Sequence, residues 1–110
     1  MNIFQAQEFK MKRGFVYILT NKNNTTLYVG ETSDLQDLIK KHISKFYPKS
    51  FSARYNLNKL VYVEAYQMIG DAKQREIQLK AGSRAKKIIL IEKENPDWND
   101  IYPEMMSKYY

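Results

Sequence analysis

Apolar side chains stand at every position of Phe15-Val16-Tyr17-Ile18-Leu19, so this run offers hydrophobic groups to both faces of an extended chain. A second apolar run, Leu27-Tyr28-Val29-Gly30, follows a polar stretch of turn formers, Thr20-Asn21-Lys22-Asn23-Asn24-Thr25-Thr26. Together they predict a β-hairpin whose first strand is central and covered on both sides. Gly30 closes the second strand at a place where a Cβ need not fit.

Beyond the hairpin the hydrophobic period lengthens from two to between three and four. Ser33-Asp34-Leu35-Gln36 has the form of a capping box, with Ser33 as the cap and Gln36 reaching back. A helix is expected from Asp34 to about Lys45, with Leu35, Ile39, Ile43 and Phe46 as its apolar stripe and Leu38 and His42 adjacent along one edge. Tyr47-Pro48 breaks it, and a basic, aromatic loop through Lys49, Phe51, Arg54 and Tyr55 follows. Leu60-Val61-Tyr62-Val63, extended to Tyr66, is a third strand. Asp71 is then a candidate N-cap for a helix from Ala72 to about Lys80, and Ser83 for one from Arg84 to Glu92 that stops at Asn95-Pro96-Asp97-Trp98. The order β-β-α-β-α-α predicts an α+β (α/β) domain, a mainly antiparallel three-stranded sheet flanked by helices. Residues 1–110 form one domain in this reading, with 1–10 a loose leader, 14–98 the patterned core, and the tail to Tyr110 a turn plus a short helical piece.

Charge narrows the class of partner. The chain carries a net +6 with a pI near 9.4, which favours a polyanion, nucleic acid being the commonest for a small basic domain. No window is long and apolar enough to span a membrane, which argues against a membrane partner. The absence of Cys excludes disulfides and thiolate metal sites and suits a reducing cytoplasm. The N-terminal residues lack a signal peptide's apolar core.

One side chain breaks the apolar row of the second helix. Glu76 lies four residues after Ala72 and three before Leu79, so a carboxylate enters the row that otherwise faces the core. Such a group is either in a salt bridge or bound to a metal ion. Tyr17, Tyr28 and His42, taken singly, are packed aromatics and a helix-end histidine, or members of a site.

Taken in order, Val16-Tyr17-Ile18, Tyr28-Val29-Gly30, Thr32-Ser33-Asp34-Leu35, His42 and Ala72-x-x-x-Glu76 resemble the GIY-YIG nuclease superfamily. Arg75-Glu76, Leu79-Lys80, Ser83-Arg84-Ala85-Lys86-Lys87-Ile88 and Asn95-Pro96-Asp97-Trp98 are similar to its small, stand-alone bacterial branch, so the likeness runs from Gly14 to Trp98. The resemblance implies a DNA endonuclease that hydrolyses phosphodiester bonds with Mg²⁺ or Mn²⁺. It implies Tyr17 and Tyr28 lining the site, one of them helping to activate the attacking water, Glu76 as the single protein ligand of the metal, and His42 assisting proton transfer. Arg13, Lys40, Lys41, Arg54 and Arg75 are candidate contacts to DNA, whether branched, flap or single-stranded.

Leu38 departs from that pattern. The family places there an arginine that holds the scissile phosphate, and leucine offers no donor. Removing one such donor costs about 10²–10³ in rate. Asp37 adds negative charge beside it, and Glu31 is either a second metal contact or exposed. Three readings follow: an endonuclease weakened at Leu38, a catalytically degenerate DNA-binding module, and a protein-interaction domain using Tyr109 and Tyr110.

Overall fold

A computed structural model describes residues 12–43 and 55–110, without the side chains of His42 and Ile43. The expected leader, residues 1–10, and the loop carrying Arg54 lie outside the described residues. The elements are β1 (Gly14–Thr20), β2 (Leu27–Thr32), α1 (Leu35–Ile43), β3 (Lys59–Tyr66), α2 (Ile69–Ala81), α3 (Arg84–Glu94) and α4 (Tyr102–Tyr109). The sheet is antiparallel throughout, in the order β2-β1-β3. All seven residues of β1 are buried, as its apolar side chains at both parities require.

Alternation along β1 divides the core into two. Phe15, Tyr17 and Leu19 pack with Leu35 and Ile39 of α1, with Leu57 and Leu60, and with the partly buried apolar side of α4. Val16 and Ile18 point the other way, onto Val29, Val61, Ala72 and Leu79 of α2, and Ile91 of α3. The result is a three-layer sandwich with α1 and α4 on one face and α2 and α3 on the other. Burying these side chains contributes about 25 cal/mol per Å² of apolar surface removed from water.

Two helix starts differ from the sequence reading, and in both a distant group decides. α2 begins at Ile69 rather than Ala72, with Met68 as N-cap and no side-chain cap, so Asp71 does not serve. The Ile69 amide is instead satisfied by the Lys12 carbonyl at 2.9 Å. A Cβ on Gly14 would stand 2.7 Å from the Ile69 Cα, so glycine lets the helix start lie directly on β1. For α1 the cap is Asp34, not Ser33. Its carboxylate accepts from the Asp37 amide at 3.0 Å and its carbonyl from the Leu38 amide.

The Gln36 amide donates to the Tyr110 hydroxyl at 3.1 Å, and that hydroxyl donates to Asp34 Oδ1 at 3.1 Å. The chain's last residue thus completes the cap of α1, which is why Gln36 has no need to reach back. Arg13 holds the same tail, its guanidinium 5.0 Å from the Phe15 and Tyr110 ring centroids and donating to the Tyr109 carbonyl. Tyr110→Phe removes both cap bonds and keeps the ring. It is expected to cost about 1 kcal/mol, a fall of roughly 4 °C in Tm by calorimetry. An unchanged Tm would mean that the tail does not secure α1.

Candidate active site

Tyr17 is the buried centre of the site, 2% exposed and opposite Gly30 in the β1–β2 register. Its ring crosses the space above Gly30, and a Cβ there would fall inside the van der Waals envelope of the Tyr17 hydroxyl. Only glycine leaves the phenol room to reach across β2. The Tyr28 ring lies 6.2 Å away, tilted by 37°, and the two phenols share a hydrogen bond.

Burial pushes the Tyr17 phenol far above its ordinary pKa, and the neighbouring Tyr28, Glu76 and Glu31 push it further. Tyr17 is therefore a neutral hydroxyl at any physiological pH. That it senses both carboxylates places all four groups within electrostatic reach. Their attachments are nevertheless on opposite layers, because Tyr17 and Tyr28 belong to the α1 face while Glu76 hangs from α2. β2, which carries Tyr28, is an edge strand of the sheet, so its outer side is open to groups from both layers.

Lys80 marks the same junction. Its Nζ lies 3.5 Å from Glu76 Oε1 and 6.0 Å from the centre of the Tyr28 ring. Ala72 and Leu79 are buried on either side of Glu76, whose side chain keeps 21% of its exposure. The salt bridge open to Glu76 thus exists, but with a lysine that is 52% exposed and at a long separation, so it stabilises little. Glu31 Oε2 is buried and accepts no hydrogen bond among the described residues.

An orphaned carboxylate oxygen and a largely buried second carboxylate fit a hard divalent cation. Among the described residues no three His, Asp, Glu or Cys side chains converge. A cation here would take one or two protein carboxylates and fill its shell with water and phosphate oxygens, the habit of Mg²⁺.

The remaining candidates are dispersed. Leu38 is half-buried and packs on the cluster that contains Tyr17. Asp37 is occupied by Lys41 at 3.0 Å, while Lys40 is exposed. Arg13 is held by the C-terminal aromatics. Arg75 forms a two-pronged pair with Glu64, at 2.9 and 3.1 Å, and also donates to Gln78. Glu64 further accepts from the Tyr62 and Tyr66 hydroxyls. Burial alone would raise its carboxyl, but the bonds from Arg75, Tyr62 and Tyr66 outweigh that and hold it below its ordinary value. Burial and that carboxylate push Tyr66 up to about 12. Arg13 and Arg75 are thus built into the fold. The backbone of His42 lies on α1, its side chain is not described, and Arg54 lies outside the described residues.

Lys80 and Lys87 were not among the sequence candidates, yet both line the depression beside Tyr28. The spacing of Lys80 from Glu76, one helical turn, was the available signal.

Comparison with known proteins identifies the family and the fold. The model of the family described as the GIY-YIG catalytic domain matches residues 13–89. A UPF0213 protein of Syntrophus aciditrophicus (strain SB) is 34% identical over 87 residues, 79% of this chain and 98% of the relative. The solution NMR structure of a UPF0213 protein from Bacillus halodurans aligns with a TM-score of 0.51 at 30% identity, covering 82% of this chain and 94% of that one.

Proposed function

We propose, for a chain that belongs to the GIY-YIG catalytic-domain family and carries its nuclease-type fold, the divalent-metal-dependent hydrolysis of DNA phosphodiester bonds, weakened by Leu38. The observation that supports it is the meeting of Tyr17, Tyr28 and Glu76 at the β2 edge. Glu76 would hold Mg²⁺ or Mn²⁺, with the free oxygen of Glu31 beside it. The cation, when bound, supplies Lewis-acid polarisation of the phosphate and stabilisation of the leaving oxygen.

Tyr17 and Tyr28 act as a bonded pair of side chains that orient the attacking water. Since burial keeps Tyr17 protonated, it is a positioning acceptor rather than a standing phenolate base. His42 is the group assigned to proton transfer. Leu38 presents no donor to the phosphate oxygens, so one preorganised hydrogen bond to the charge developing there is missing. The setting assigned is the cytoplasm, in keeping with a chain without Cys. Among the described residues no helix is long and apolar enough to cross a membrane.

The packing of Leu38 on the apolar cluster favours a second reading, a module that binds DNA without turnover. The interaction-domain reading loses ground, because Tyr109 stacks edge-on against Phe15 at 5.1 Å and Tyr110 caps α1. Purified protein with supercoiled, flap and single-stranded DNA, with and without Mg²⁺ or Mn²⁺, separates them. Slow nicking that requires metal is expected. Binding without any nicking selects the second reading, and neither binding nor nicking rejects both.

A further inference from the structure

The basic run Arg84-Ala85-Lys86-Lys87 has no part in the hydrolysis. α2 and α3 together carry seven Lys and Arg against Asp71, Glu76, Glu92 and Glu94, a net +3. Three of the bases, Arg84, Lys86 and Lys87, fall in the acid-free first turn of α3. Two depressions run through this region. One, of about 380 Å³, is lined by Leu27, Tyr28, Val29, Lys80 and Lys87 and opens beside the catalytic edge. The other, of about 340 Å³, lies between α2 and α3, with Leu79 and Leu90 on its floor and Lys86 and Lys87 on its rim.

Lys87 lines both, so the two depressions adjoin at this side chain. Its Nζ donates to the Gly82 carbonyl at 2.9 Å, which holds the ammonium in place. Arg75 also borders the second depression but is committed to Glu64, which leaves the lysines as the available cations there. Lys86 and Lys87 lie in the first turn of α3, which contains no acid. Cations at the positive end of a helix repel its dipole, and an anion between them relieves that repulsion.

We propose that one strand of the DNA substrate leaves the β2 edge across Tyr28 and Lys80 and continues with its phosphates on Lys87 and Lys86, in the cleft between α2 and α3. The proposal rests on the nuclease reading for its ligand. Lysines beside the apolar side chains of Leu79, Ile89 and Leu90 suit a single strand, whose phosphates meet cations while sugars and exposed base faces meet apolar surface.

The test is binding of oligo-dT to the full chain by fluorescence anisotropy across a range of salt, without divalent metal. Each phosphate neutralised on a single strand contributes about 0.7 to the slope of log K against log salt. Lys86→Gln/Lys87→Gln is expected to flatten the slope by roughly 1.4, while Lys108→Gln, on α4 across the sheet, leaves it unchanged. Lys86→Glu keeps the Lys87 bond to Gly82 and should weaken binding if the double variant does not fold. An unaltered slope in the double variant, or equal flattening per charge by Lys108→Gln, overturns the path while leaving the nuclease reading intact. Absence of salt-sensitive binding by the wild type would overturn the nucleic-acid reading itself.

Discussion

Replacing Glu76 with Gln is expected to abolish metal-dependent DNA cleavage, a loss of roughly 10³-fold or more, while the Kd for DNA measured without metal stays within about twofold. A bound cation contributes several kcal/mol of charge stabilisation, and each 1.36 kcal/mol is tenfold in rate. Glutamine keeps the shape of the side chain and one oxygen but not its charge. The fold should survive, because the only ion pair formed by Glu76 among the described residues is the long, exposed one to Lys80. Cleavage assays and a melting curve check both halves. Unfolding of the variant would show that the carboxylate is structural, and undiminished cleavage would show that the metal sits elsewhere.

The second large effect runs in the opposite direction. Leu38→Arg is expected to raise Mg²⁺- or Mn²⁺-dependent cleavage by about 10²–10³, the magnitude associated with one preorganised donor to a developing oxyanion. Leu38 is half-buried on the apolar cluster around Tyr17, and the methylenes of arginine can cover the same surface while the guanidinium reaches the open edge. The gain should vanish in Leu38→Arg/Glu76→Gln, which shows that it passes through the same site. Brisk cleavage by the wild type, unchanged in Leu38→Arg, would mean that another cation already fills the role.

Much of the scaffold was legible because its cause is local. The unbroken apolar run of β1 announced a central strand, and Ser33-Asp34 and Ser83 announced helix starts, the second to the residue, since Ser83 accepts from the Lys86 amide. Where the reading slipped, a residue far along the chain supplied the missing bond. The Lys12 carbonyl lengthens α2 at its start and Tyr110 completes the cap of α1, and neither is visible from spacing. Spacing likewise does not show the intramolecular partners of Arg13 and Arg75, which are Tyr109 and Tyr110 for the first and Glu64 for the second.

The geometry of the candidate site was half legible. Alternation correctly sets Tyr17 and Tyr28 on one parity and Gly30 beneath them, but the same rule separates them from a helix bearing Ala72 and Leu79. In the proposed site they converge across β2, an edge strand, where Gly30 has no side chain to block the phenol.

Titration of isotope-labelled protein with Mn²⁺ tests that convergence most directly, through paramagnetic broadening of backbone amides. Substoichiometric Mn²⁺ should broaden Gly30 and Glu31 on β2 together with Glu76 on α2, and Glu76→Gln should remove the effect from all three. Broadening confined to one element, or unaltered by Glu76→Gln, would contradict a shared site at the β2 edge.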